Sequence, residues 1–216
     1  MKKWSEEAWN TAFPVYREII EHPFIEALAD GTLAPDKFMF YLEQDSLYLS
    51  GYAKTLSHIA SRLTDKAHIH AFIRFASNGI EVEEALHESF LKGKIPSPEK
   101  ISPACLLYTS LLLSQATAPV EVEAAAILPC FWVYQQVGRE IMARQKGRDN
   151  PYAQWIETYA DPTFTAATRR AIEICDELAG KAGPEIRERM TGIFVRCTKM
   201  EWMFWESAWK KEKWEI

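Results

Sequence analysis

The 216-residue chain is short of helix breakers, of basic charge and of long apolar runs. Each shortage excludes something. With 9 glycines and 11 prolines, and almost no β-branched alternation, nothing in it reads as a strand-and-turn protein. Acidic residues outnumber basic ones, 30 against 25, so the surplus that neutralises a phosphate backbone is missing, and no nucleic-acid partner is expected. The longest uncharged apolar run, Ala124 to Tyr134, is interrupted by Pro129. A membrane span needs roughly 18 or more residues, so no membrane partner is expected either. Met1-Lys2-Lys3 passes straight to Ser5-Glu6-Glu7 rather than to an apolar stretch, so no secretory signal is expected. The four cysteines (Cys105, Cys130, Cys175, Cys197) contain no Cys-x-x-Cys pair and read as free thiols of a cytoplasmic protein. There is no glycine-rich phosphate loop, no Gly-x-Ser-x-Gly elbow and no His-Glu-x-x-His zinc motif.

What is present is a hydrophobic fraction of 48%, a globular value that rules out intrinsic disorder, and 12% aromatic residues. Aromatics at that level fill cores and also wall pockets for flat ligands. The dominant apolar period is 3.6, and the fold expected is all-α: a single-domain bundle of about eight helices over residues 1–216. Ser5 reads as the cap of a first helix reaching about Glu21, with a bend at Pro14. His22-Pro23 breaks it, and Phe24 to Leu28 reads as a turn. Further helices are expected from Pro35 to Leu63, from Asp65 to about Leu91, from Pro103 to Gln115 and from Pro119 past Arg144. Three more run from Tyr152 to Tyr159, from Asp161-Pro162 to Leu178 and from Pro184 to Lys211. Gly93 to Pro103 and Gly147 to Pro151 read as loops.

Polar groups interrupt apolar helix faces in a few places. Asp45, Tyr48 and Tyr52 are spaced i, i+3, i+7 and share one face, as one wall of a polar pocket would, although the same spacing suits an exposed Asp beside half-buried tyrosines. Cys130 follows Pro129, which cannot donate to the carbonyl of Ala125, so a kink is expected there, with Tyr134 one turn on. A thiol in that position is either a nucleophile, which needs a neighbour to take its proton, or a small core hydrophobe. Glu201 stands among Met200, Trp202, Phe204 and Trp205. Burial there would raise its pKa towards that of a general acid, whereas the opposite face would leave it solvated. Glu84-Ala85-Leu86-His87 is a single Glu-x-x-His, where carboxylate-bridged di-metal bundles use two, so no metal site is expected.

Seven segments, in order, resemble the TenA family, the thiaminase II group of aminopyrimidine hydrolases. They are His22-Pro23-Phe24 with Asp30-Gly31-Thr32-Leu33; Tyr41 to Ser46 with Tyr48; Ala85-Leu86-His87; Tyr108-Thr109-Ser110; Leu128 to Tyr134; Trp155 to Tyr159; and Glu201 with Phe204-Trp205. The resemblance implies a haem-oxygenase-like all-α fold, no cofactor, and hydrolysis of 4-amino-5-aminomethyl-2-methylpyrimidine to the hydroxymethyl pyrimidine and ammonia in thiamine salvage, with cleavage of thiamine as a further activity. It implies Cys130 as nucleophile, Glu201 as proton shuttle, Tyr48 as the phenol supporting the thiol, and Asp45 as the anchor for the pyrimidine's amidine-like edge. Tyr134, Tyr159, Tyr108 and Tyr52 would be substrate-contacting or pocket phenols. It also implies a homotetramer, with which the aromatics Trp209 and Trp214 agree as subunit-contact residues. Leu47, Phe131 and Met200 depart from the family pattern and bear on pocket shape. Two other classes fit the same fold: a pyrimidine-binding or regulatory protein without turnover, and a haem or di-metal oxygenase, for which His22 is the candidate ligand, although the His22-Pro23 break better suits a buried or capping histidine.

Overall fold

The computed structural model describes residues 3–86, 96–144 and 150–215, with backbone alone for 82–86. Among the described residues there are nine α-helices and no strand: α1 (Trp4–Ile20), α2 (Pro23–Ala29), α3 (Pro35–Arg62), α4 (Lys66–Leu86), α5 (Pro103–Ser114), α6 (Val120–Arg144), α7 (Ala153–Ala160), α8 (Pro162–Lys181) and α9 (Pro184–Lys210). None of them is long and apolar enough to cross a membrane. The all-α expectation holds.

Proline and short polar caps set the helix starts. Pro23, Pro35, Pro103, Pro162 and Pro184 each open a helix, where a missing N–H costs nothing. His22 Nδ1 accepts from the Phe24 N–H at 3.1 Å, Ser102 Oγ from Cys105 N–H at 3.3 Å, and Asp65 Oδ1 from the N–H groups of Ala67 and His68 at 2.8 and 3.1 Å. The His22 cap turns the expected Phe24–Leu28 turn into a helix, α2. Ser5 is not a cap. It lies inside α1, where its backbone N–H and its hydroxyl both donate to Asp176 of α8 at 2.8 Å, so a tertiary partner outcompetes the local one. Helix α1 continues through Pro14, and α6 through Pro129. Residues 87–95 and 145–149 lie outside the described residues, and with them His87, the end expected for the third helix at Leu91, the first three residues of the expected Gly93–Pro103 loop and most of the Gly147–Pro151 loop.

Helix α6 is the centre of the bundle. It packs on α9, α8 and α7 and also meets α1, α2, α3 and α5. Its residues from Val122 to Pro129 are buried without a break, which is why the sequence from Ala124 to Pro129 is apolar all round rather than on one stripe. Helix α3 packs on α4 and α5. At Gly51 the approach of α5 is so close that a Cβ would sit 2.6 Å from Thr109 Cγ2. Gln44 fastens the same contact, donating to the carbonyl of Lys100 at 3.0 Å and accepting from the Ser102 N–H at 2.8 Å. The far end of α3 is held to the start of α6 by Glu123. This buried carboxylate receives Arg62 at 2.5 Å and meets His58 at 2.8 Å, so its charge is paired as a buried charge must be. The effect is to fix α3, α5, α6 and α9 side by side, with Asp45, Tyr108, Cys130 and Glu201 on their inner faces.

Candidate active site

A cavity of about 530 Å³ opens between α3, α4, α6, α7 and the start of α8. Of the eight residues expected at a site, Asp45, Tyr52, Cys130, Tyr134 and Tyr159 line it. Tyr48, Tyr108 and Glu201 do not line it. They lie behind Cys130 as a buried layer, each at most 3% exposed. Asp45 is 4% exposed, which excludes the solvated-face reading. Cys130 is half-buried, whereas the other three cysteines are buried, so it is the thiol presented to the cavity.

Aromatic packing positions these groups. Tyr48 lies between Tyr108 and Tyr52, with ring centroids 4.8 and 5.5 Å away. Tyr134 packs on Tyr159 at 5.0 Å and on Trp205 at 5.2 Å, and Trp205 stacks on Tyr41 at 4.9 Å. The Tyr52 hydroxyl donates to the carbonyl of Ile127 at 2.8 Å, clasping α3 to α6 one turn before Cys130. Tyr41 and Tyr134 share a hydroxyl contact of 3.4 Å. Gly138 brings α7 against α6: a Cβ there would stand 2.9 Å from Tyr159 Cβ and 3.0 Å from its carbonyl carbon. That close approach sets Tyr159 in the wall.

The electrostatics follow from burial. Glu201, 1% exposed, has its pKa pushed up to about 8, first by desolvation and then by the neighbouring Asp45 carboxylate, while the Tyr108 hydroxyl holds it back. Tyr108 donates that hydrogen bond to Oε1 at 2.6 Å. Desolvation and the charges of Glu201 and Asp45 drive the Cys130 thiol well above its usual pKa, against the hydroxyls of Tyr48 and Tyr52, which favour the thiolate. Among the described residues the Tyr48 hydroxyl makes no hydrogen bond of regular geometry, yet it is close enough to act on Cys130. The phenols of Tyr48, Tyr52, Tyr108, Tyr134 and Tyr159 are all raised, chiefly by desolvation, and stay neutral donors. The arrangement therefore combines a reachable thiol, a carboxylic acid that keeps its proton near neutral pH, and a second buried carboxylate, in a phenol-walled space sized for a small organic ligand.

Sequence reasoning did not reach Phe75 and Asn78 of α4, nor Phe164 of α8, which complete the wall. They sit on ordinary amphipathic faces, and no polar interruption marks them. Of the three departures from the family pattern, Phe131 lines the cavity and Leu47 and Met200 do not. His22 is not placed as a ligand. Its Nδ1 accepts from a backbone N–H, so the neutral ring carries its proton on Nε2, which meets Glu206 at 3.1 Å. Among the described residues, no three His, Cys, Asp or Glu side chains gather as a metal set.

The model of the TENA/THI-4/PQQC family matches residues 9–211. The aminopyrimidine aminohydrolase of Bacillus subtilis is 34% identical, over 98% of this chain and 92% of that one. The thiamine biosynthesis multifunctional protein ThiED of Corynebacterium efficiens is 32% identical over 95% of this chain, which spans 28% of that protein's length. The solved structure of a TenA homologue from P. horikoshii OT3 superposes with a TM-score of 0.85 at 26% identity, over 97% of this chain and 99% of that one. The fold is thus the all-α, haem-oxygenase-like one of the TenA homologues. With a match across nearly its whole length, this chain belongs to the TENA/THI-4/PQQC family.

Proposed function

We propose that this chain is an aminopyrimidine aminohydrolase of thiaminase II type, acting as one domain over residues 1–216. The reading rests on one observation above the rest. The half-buried thiol of the chain, Cys130, faces a phenol-lined cavity and is backed by a carboxyl, Glu201, that keeps its proton up to about pH 8. The related aminohydrolase from Bacillus subtilis supplies the substrate class.

The chemistry follows from the residues. A 4-aminopyrimidine resists attack until a ring nitrogen is protonated. Asp45 anchors its amidine-like edge and favours that cation. The cation in turn offsets the Asp45 charge that helps hold the Cys130 proton, so substrate binding itself promotes the thiolate. The Cys130 proton passes to the ring nitrogen as the sulfur adds to a ring carbon, to return when the C–S bond opens, and the exocyclic C–N bond breaks. Glu201 gives its proton to the departing amine, which leaves as ammonia. Water then adds to the exocyclic carbon and returns a proton to Glu201, and the C–S bond opens to restore the thiol. Tyr48 supports the thiolate, Tyr108 orients Glu201, and Tyr52, Tyr134 and Tyr159 wall the ring. The preferred substrate is the 5-aminomethyl pyrimidine, and thiamine is a secondary one. None of these steps draws on a cofactor.

The setting proposed is a cytoplasmic homotetramer. Leu106, Leu107 and Leu113 form an exposed apolar strip on α5 and support a subunit contact there better than the C-terminal tryptophans do. Trp209 lies under the Lys37 ammonium, 3.1 Å from its ring centre, and the Trp214 indole donates to the Ile101 carbonyl at 2.8 Å.

The test is ammonia release from the aminomethyl pyrimidine by wild type and Cys130→Ser in parallel, with melting curves for both. Turnover that collapses in a folded Cys130→Ser variant is expected. A folded wild type that binds the pyrimidine without releasing ammonia would instead identify a non-catalytic binding or regulatory protein.

A further inference from the structure

Among the described residues lining the cavity, none is Lys, Arg or His, and three are carboxylates. Asp45 lies inside, while Glu157 and Asp161 are exposed and stand where the cavity meets solvent. The start of α8 borders the same opening through Asp161, Thr163 and Phe164. An uncapped helix N-terminus there would be a ready phosphate cradle. Asp161 takes that place itself, its Oδ1 accepting from the Thr163 N–H at 2.6 Å. Size excludes little, because about 530 Å³ is a volume that holds drug-sized ligands.

We infer that Glu157 and Asp161 are specificity-determining residues that admit cationic, unphosphorylated pyrimidines and turn away their phosphate esters. The inference rests on the aminopyrimidine reading above. A substrate whose aminomethyl group is an ammonium in water is drawn to this opening, and gives up that proton to solvent on burial, so that the amine meeting Glu201 is neutral. A phosphate ester of the same ring meets two carboxylates, no counter-charge among the described lining residues, and a helix terminus already occupied by an anion.

Competitive inhibition of the full chain by the product alcohol, 4-amino-5-hydroxymethyl-2-methylpyrimidine, and by its monophosphate tests this. The proteins compared are wild type, Glu157→Gln and the double variant Glu157→Gln/Asp161→Asn. Asn caps a helix as well as Asp, so the double variant changes charge with the α8 start retained. In wild type the monophosphate should bind at least about tenfold more weakly than the alcohol, and the gap should shrink with added salt, because the charges are exposed. In the double variant the ratio of the two inhibition constants should fall about fivefold or more, with the single variant between. A gap that is absent in wild type, or that survives unchanged in the double variant, overturns the inference. A wild type that neither releases ammonia from the amine nor binds the alcohol overturns the aminopyrimidine reading, and this inference falls with it, so the two failures are distinguished by the alcohol alone.

Discussion

Glu201→Gln should slow the enzyme and change how its stability depends on pH. In the folded chain the Glu201 carboxyl titrates near about 8, against 4.5 for an ordinary glutamate. Unfolding exposes it to water, where it ionises at the ordinary value. Between those two points the folded state holds a proton that the unfolded state has lost. The stability associated with this position is therefore fully present below about pH 4.5, falls as pH rises, and levels off only above about pH 8, where the folded carboxyl also ionises. The whole span amounts to about 5 kcal/mol. Glutamine has no proton to lose, so the stability of the variant relative to wild type should rise by about 3 kcal/mol between about pH 5 and about pH 7.5. Urea unfolding followed by tryptophan fluorescence at a series of pH values reads this directly. Catalysis should move the other way, with turnover down by about 10²- to 10⁴-fold below about pH 8, because the amine loses its acid. Stability curves that stay parallel across this range would refute the claim that burial keeps Glu201 protonated, whatever the activity did.

Two neighbours give sharper probes of the same site. Tyr108→Phe removes the 2.6 Å hydrogen bond that restrains Glu201. The alkaline limb of the kcat/KM profile, which reports loss of the acid near about 8, should therefore move up by about one pH unit. An unmoved limb would separate Tyr108 from the acid. Gly138→Ala should cost about 1–3 kcal/mol despite the better helix propensity of alanine, because the new methyl meets the backbone and Cβ of Tyr159 rather than a yielding side-chain tip. Helix α7 must shift, so KM should rise more than kcat falls, and melting together with steady-state kinetics would show the split.

The pieces of the site that stand on one helix were legible in the sequence. Asp45, Tyr48 and Tyr52 share a face by spacing, and all three are buried as a pocket wall requires. Glu201 was marked by its apolar flanks, and the same flanks cause its raised pKa. What spacing could not supply was convergence. Cys130, Asp45 and Glu201 come from α6, α3 and α9, and their juxtaposition depends on packing contacts such as Gly51 against Thr109 that no helical period encodes. Tyr108 and Tyr159 entered only through family resemblance, because each lies on a short helix with no polar interruption of its own. Local rules also failed where a distant partner was stronger: Ser5 had the composition of a cap and was taken by Asp176. His22, whose proline neighbour signalled a break, both ended one helix and began the next.

The raised pKa of Cys130 has a consequence for the endurance of the protein. Peroxides and other oxidants consume thiolates far faster than thiols. Cys130 is the thiol that a small oxidant entering the cavity can reach, and burial together with the Asp45 carboxylate keeps it protonated when no substrate is present. An unoccupied molecule thus keeps its reactive sulfur in its least oxidisable form. A cationic ring in the cavity weakens the thiol's hold on its proton and at the same time fills the path an oxidant would take. The arrangement that delays catalysis until substrate arrives also preserves the sulfur between turnovers.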